Sequence, residues 1–71
     1  MSKATQQAKI LNYCAEHGSI TVREAFEKLF INSPTKRISE LRQSGFYEVT
    51  DIEEQRNDTR YKRYFIRAVS E

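Results

Sequence analysis

Apolar positions in the first quarter of the chain recur at spacings of three and four: Ala8, Ile10, Leu11, Cys14 and Ala15 fall between Thr5 and His17. That period places a stripe on one face of a helix, predicted over about residues 5–17. Gly18 follows as the residue best able to take a left-handed conformation past a helix end, and His17 sits near the negative end of the dipole. Ser19 and Ile20 leave room only for a short extended link, with a short third strand at Ser19–Thr21 as an option. Thr21-Val-Arg-Glu24 is a capping box, since the threonine hydroxyl accepts from the glutamate amide while the carboxylate accepts from the threonine amide. A second helix over about 22–29 follows, with Val22, Ala25, Phe26 and Leu29 on one face and Phe30 and Ile31 carrying apolar content into the turn. Asn32-Ser33-Pro34 is another start signal, with serine as N-cap and proline preset for the first helical position. The third helix is predicted over about 34–44, with Ile38 and Leu41 inward and Gly45 closing it.

Beyond Gly45 the period shortens. Phe46, Tyr47, Val49, Thr50 and Ile52 are β-branched or aromatic residues in an extended run, and Tyr61, Tyr64, Phe65, Ile66 and Val69 mark a second one. Between them Glu53 to Thr59 is polar, with Asn57 and Asp58 as turn formers, so a hairpin with a polar loop is predicted over about 46–69. The expected class is α+β: three helices followed by a two-stranded hairpin, in a single domain spanning 1–71. Helix 1 must cross helices 2 and 3 to bury their apolar faces, and the hairpin covers the edge that remains. Helix 3 then keeps one face outward with the hairpin loop beside it.

Composition narrows the functions this architecture can carry. Seventy-one residues allow one core and few spare positions for an enclosed active site. Apolar residues are 38% and charged residues 31% of the chain, with no run near the roughly 18 apolar residues that span a membrane. The opening Met-Ser-Lys-Ala-Thr-Gln-Gln lacks the apolar run of a signal peptide, and the expected location is the cytoplasm. Cys14 is the only cysteine and His17 the only histidine, so no internal disulfide, zinc cluster or metal site is expected. With no glycine-rich phosphate loop either, the reading is a non-enzyme without cofactors, in which Cys14, Tyr13 and Tyr47 pack and His17 ends a helix. A formal net charge of +2 says little about partners; its distribution says more.

Two basic patches stand out. At the amino end of helix 3, Ser33 and Thr35 lie where backbone amides and the dipole favour a phosphate. Lys36, Ser39 and Gln43 follow at helical spacing, with lysine suited to guanine and glutamine to adenine in a major groove. Arg37 and Arg42 flank that face and are candidates for phosphates; Arg37 has the alternatives of pairing with Glu40 or covering the core with its stem. In the hairpin, Arg56, Arg60, Lys62, Arg63 and Arg67 fall within twelve residues that contain only Asp58 as an acid. Arg56 or Arg60 could enter a minor groove or follow a phosphate backbone, while Glu53 and Glu54 could instead pair with these cations across the hairpin. Alternation sets Tyr64 and Ile66 on one face of the last strand and Tyr61, Arg63, Phe65 and Arg67 on the other. That second face suits edge shielding or contact with another copy, and unpaired strand edges allow a homodimer or higher self-association through the hairpin.

Ser19-Ile-Thr-Val-Arg-Glu-Ala-Phe and Lys36-Arg-Ile-Ser-Glu-Leu-Arg-Gln-Ser-Gly-Phe together resemble winged helix-turn-helix domains. More narrowly, the chain is similar over about residues 8–67 to small helix-turn-helix proteins common in bacteriophages and prophages. Their pattern has a threonine-led second helix and an Arg-Ile-x-x-Leu-Arg-x-x-Gly third helix, matched here by Arg37, Ile38, Leu41, Arg42 and Gly45. The resemblance implies binding of double-stranded DNA, in transcriptional control or as an accessory to site-specific recombination. The main alternative is a protein-interaction module on the same fold, with a protein partner at the hairpin or helix 3. Single-stranded RNA on the aromatic and basic strand face is a third reading.

Overall fold

The computed structural model describes residues 2–69, so residues 1, 70 and 71 of the expected domain lie outside the described residues. Helix α1 spans Lys3–His17. It starts two residues before the predicted position because Ser2 is its N-cap, the hydroxyl accepting from the Thr5 amide at 3.2 Å. Periodicity registers the first buried turn, whereas the cap is a polar residue one turn further out. Ile10 and Cys14 are buried, Leu11 and Tyr13 half-buried, and Ala8 and Ala15 exposed, so the inward stripe is narrower than the apolar spacing suggested. Gly18 takes φ 88°, and its amide donates to the Cys14 carbonyl at 2.7 Å.

Strand β1 is the two-residue Ile20–Thr21, and α2, Val22–Leu29, begins directly on it. Both halves of the capping box form: Glu24 N–H donates to Thr21 Oγ1 at 3.1 Å, and Thr21 N–H to Glu24 Oε1 at 2.9 Å. The face predicted to point inward is only half right. Ala25 is buried and Leu29 half-buried, but Val22 and Phe26 are exposed. Phe30 caps the helix in a left-handed conformation, φ 58°, and turns Ile31 into the core with its amide on the Ala25 carbonyl at 3.2 Å. With Ala25 and Ile31 both fully buried, the space under α2 is filled without the phenylalanines.

Helix α3 spans Pro34–Gln43, with Ser33 as N-cap and Ser44 as C-cap, so Ser44 closes the helix that was predicted to include it. Gly45, φ 81°, then reverses the chain into β2, Tyr47–Arg56, which pairs antiparallel with β3, Thr59–Ala68. The register runs from Tyr47↔Ala68 to Arg56↔Thr59 without a break. The polar segment predicted as a loop is therefore strand, apart from Asn57 and Asp58 at φ 49° and 65°. Two consecutive left-handed residues make the type I′ turn whose twist matches a hairpin, and Asn and Asp are the side chains that tolerate it. Backbone pairing is indifferent to side-chain polarity, which is why a polar run extended the ladder here. The sheet order is β1-β3-β2, with Ile20↔Tyr64 and Thr21↔Arg63 tying the short strand to the centre.

One apolar cluster unites every element except the hairpin's far end. Ile10, Cys14, Ile20, Ala25, Ile31, Ile38, Leu41 and Tyr64 are buried, with Leu29, Tyr47, Val49 and Ile66 packed against them. Burial raises the Cys14 thiol above its ordinary range, which keeps it a neutral core residue. The consequence for function is positional: α3 is fixed on one side by the cluster, and the outer half of the hairpin stands free beside it.

Candidate nucleic-acid interface

Pro34, Arg37, Ile38 and Leu41 form the buried stripe of α3. Arg37 is thereby removed from the predicted phosphate contacts: its side chain is only 8% exposed, with Nε 3.1 Å from Glu40 Oε1. The approach is off the hydrogen-bond direction and leaves Nε without a hydrogen-bonded partner, so the pair is Coulombic. Gln7 Nε2 donates to the same Glu40 oxygen at 3.0 Å, linking α1 to α3. The position was legible, since Arg37 follows Pro34 by three and precedes Leu41 by four, the spacing of the inward stripe.

Thr35, Lys36 and Gln43 are exposed on the opposite side and Ser39 is half-buried. These four line an open groove together with Asn32, Ser33, Pro34, Val22 at the start of α2, and Glu40, whose carboxylate is already engaged by Gln7 and Arg37. Among the described residues none of the four side chains makes a hydrogen bond or ion pair within the protein. Ser33 stands at the N-cap, but its hydroxyl makes no capping bond; only its carbonyl is engaged, accepting from the Arg37 amide at 3.2 Å. Hydroxyl, amide and ammonium groups thus face the groove with their hydrogen-bonding capacity unspent.

The hairpin's cations are arranged differently. Register puts Asp51 and Glu53 of β2 and Arg60 and Lys62 of β3 on the face shared with the core residues Tyr47, Val49, Tyr64 and Ile66, which is the face toward α3. There Asp51 meets Arg42 of α3 at 3.4 Å and Lys62 at 3.9 Å, while Glu53 meets Arg60 at 3.8 Å. On the other face Arg67 pairs with Glu48 at 2.9 Å and Arg63 with Glu54 at 2.7 Å. Arg63 also donates to Ser19 Oγ at 3.1 Å and lies 3.5 Å from Glu24, so it clamps β3 to the start of α2. The hydrogen bond to Glu54 raises its guanidinium above the ordinary arginine value, and it stays charged.

Arg56 sits beside the turn opposite Thr59 and has no acidic partner among the described residues. Of the predicted set, then, the structure gathers Ser33, Thr35, Lys36, Ser39 and Gln43 in one groove. It sets Arg42 and Lys62 about Asp51 at the seam between α3 and the hairpin, puts Arg60 further out on the same hairpin face, and leaves Arg56 at the hairpin tip. Asp51 was not singled out from sequence; its signal was the alternation of β2, which places it on the same face as Val49.

No helix among the described residues is long and apolar enough to cross a membrane. No group of three or more His, Cys, Asp or Glu among them is placed to hold a metal ion. Three helices and a sheet of order β1-β3-β2, with the hairpin flanking a third helix that opens onto a groove, define a winged helix-turn-helix. Residues 5–69 match the family described as the winged helix-turn-helix domain, and the chain belongs to that family. Membership points to DNA as the partner. No curated protein and no solved structure matches the chain.

Proposed function

We propose that the protein binds double-stranded DNA in a sequence-specific way, with α3 in the major groove and the hairpin as a wing over the flanking backbone. Lys36, Ser39 and Gln43 read base edges; Ser33 and Thr35 receive a phosphate at the amino end of α3. Arg42, Arg56, Arg60 and Lys62 hold phosphates on either side. Such a protein serves as a small phage or bacterial transcriptional regulator, or as an accessory factor in recombination, and carries out no catalysis. The observation that carries this reading is the unspent hydrogen-bonding face of α3 within a helix whose other face is locked into the core.

Self-association through the edge of β2 would lengthen the contacted duplex; the four acids of that strand, Glu48, Asp51, Glu53 and Glu54, are each already paired with a cation of the same chain.

The test is fluorescence anisotropy on a random-sequence duplex over a range of salt. About four phosphate contacts give a slope near −3.6 in log affinity against log salt. Joint replacement Lys36→Ala and Arg42→Ala weakens binding with the fold intact, and unchanged binding would remove α3 from the interface. A second reading, a protein-interaction module, is favoured by one observation. Val22, Phe26 and Phe30 follow one another at spacings of four and are 37%, 57% and 75% exposed. Phe30 is a bulky residue in the left-handed region, where glycine is the usual occupant, and its ring is largely outside the core. Phe26→Ser with Phe30→Ser separates the two readings, since it leaves DNA affinity in place and abolishes capture of a protein partner.

A further inference from the structure

Accepting the DNA reading, the phosphate strand between a major groove holding α3 and a minor groove beside the wing has to cross the seam where α3 meets β2. Asp51 occupies that seam. Its Oδ1 lies 3.4 Å from Arg42 Nη2 and its Oδ2 3.9 Å from Lys62 Nζ, so each oxygen of one carboxylate faces a cation from a different element. Two residues on, and on the same face of the strand, Glu53 Oε1 lies 3.8 Å from Arg60 Nη1. Three of the cations assigned to phosphate therefore already have an anionic partner. Both pairs at Asp51 are loose and the cations are about half exposed, with Arg42 at 52% and Lys62 at 57%. Pairs of this kind are weak in water and exchange readily.

We infer that Asp51, seconded by Glu53, is a resident substitute for phosphate that sets the general DNA affinity of the protein. In the free protein it occupies the contacts of Arg42 and Lys62 that a backbone phosphate would take. On binding, the phosphate takes both cations and the carboxylate turns to solvent. The inference rests on the DNA reading and adds to it a residue that opposes binding. Asp51 sits against cations rather than among Lys36, Ser39 and Gln43, so it weakens attraction to any duplex without altering which bases α3 prefers. A small domain with cations on two elements would otherwise adhere to DNA of every sequence; a carboxylate in competition limits that adhesion.

The acids on the far face supply the control. Glu48 pairs with Arg67 at 2.9 Å on the side turned away from α3, so its neutralisation changes net charge by the same amount at a different place. The experiment measures affinity for a random-sequence duplex by anisotropy at several salt concentrations for wild type, Asp51→Asn, Glu53→Gln and Glu48→Gln, with thermal unfolding of each. Asp51→Asn keeps the side-chain shape and is expected to bind about fivefold tighter at low salt. Its salt slope is expected to stay near −3.6, because the same phosphates are neutralised in both proteins and only the competition in the free protein is removed. Glu53→Gln shifts affinity the same way by less, and Glu48→Gln stays close to wild type. Folded Asp51→Asn protein that binds no tighter than wild type overturns the inference, as does a gain in Glu48→Gln equal to that of Asp51→Asn, which would make the effect one of net charge. Should Asp51→Asn unfold, Glu53→Gln decides alone, a gain supporting the inference and no gain overturning it. Wild-type protein that fails to bind the duplex at low salt overturns the DNA reading itself, a result distinct from the others.

Discussion

Helix α3 and the hairpin hold their polar side chains in opposite states. Along the groove, Thr35, Lys36, Ser39 and Gln43 have no partner within the described protein, whereas Arg60, Lys62, Arg63 and Arg67 of β3 each face an acid, Arg67 directly across the ladder and the other three on the diagonal, two residues along. Both regions read as basic in sequence, so basicity alone does not distinguish them. What separates them is whether hydrogen-bonding capacity is left over after folding. Free donors and acceptors on a rigid helix are suited to reading bases, and cations already paired are suited to holding a backbone by exchange. The two regions meet at Asp51, which belongs to the hairpin but pairs with Arg42 of α3.

The largest expected effect breaks the comparison from below, by removing the support of α3. Ile38 is 2% exposed, and Ile38→Ala is expected to cost about 3 kcal/mol of stability in denaturant unfolding, with DNA affinity lost only as far as the chain unfolds. Arg37→Ala is next, at about 2 kcal/mol, because a buried stem is lost and Glu40 is left beside Gln7 without its cation. Measured where it remains folded, this variant should keep wild-type DNA affinity within about twofold, as a core arginine does and a phosphate contact does not. On the groove side, Gln43→Ala is expected to weaken binding to the preferred sequence about tenfold while scarcely changing binding to random duplex. On the wing side, Arg56→Ala weakens binding to all sequences alike, by about threefold, and lowers the salt slope by about 0.9.

The smallest effect is a pH dependence. Burial raises the Cys14 thiol in the folded chain, so above the ordinary thiol range the unfolded chain loses its proton first. Stability from this residue is therefore complete at neutral pH and declines as pH rises toward the folded value. In Cys14→Val that alkaline decline is expected to be reduced, as read from unfolding midpoints between neutral and alkaline pH.

Much of the fold was legible because its signals are local. The Thr21 capping box, Gly18, Pro34 and Asn57-Asp58 each fix a backbone conformation within a few residues, and each stands where it was expected, whereas Ser33 marks the start of α3 without its hydroxyl capping it. The misreadings came from tertiary competition. Phe26 is apolar and at the right spacing, but Ala25 and Ile31 had already filled the space beneath α2. Arg37 looks like a surface cation by type and a core residue by position, and position prevailed because its aliphatic stem packs while Glu40 accompanies the charge. The bounds of the hairpin agree with the sequence reading, but its strands run on through the polar segment because backbone pairing does not require apolar side chains. At the candidate site, the members of the α3 face could be chosen by helical spacing alone. Pairing of Glu53 and Glu54 with wing cations was legible as an alternative and is found at Arg60 and Arg63, but which acid meets which cation depends on the register of β2 against β3, which a single strand pattern does not set.

Selection of bound sequences from a random duplex pool, carried out in parallel with wild type and Gln43→Ala, tests the central assignment of α3 most directly. Wild-type protein is expected to enrich a defined motif, and the variant to relax it at one or two adjacent positions while keeping the rest. Recovery of the same motif by both proteins, or no motif by either, would contradict base reading by this helix.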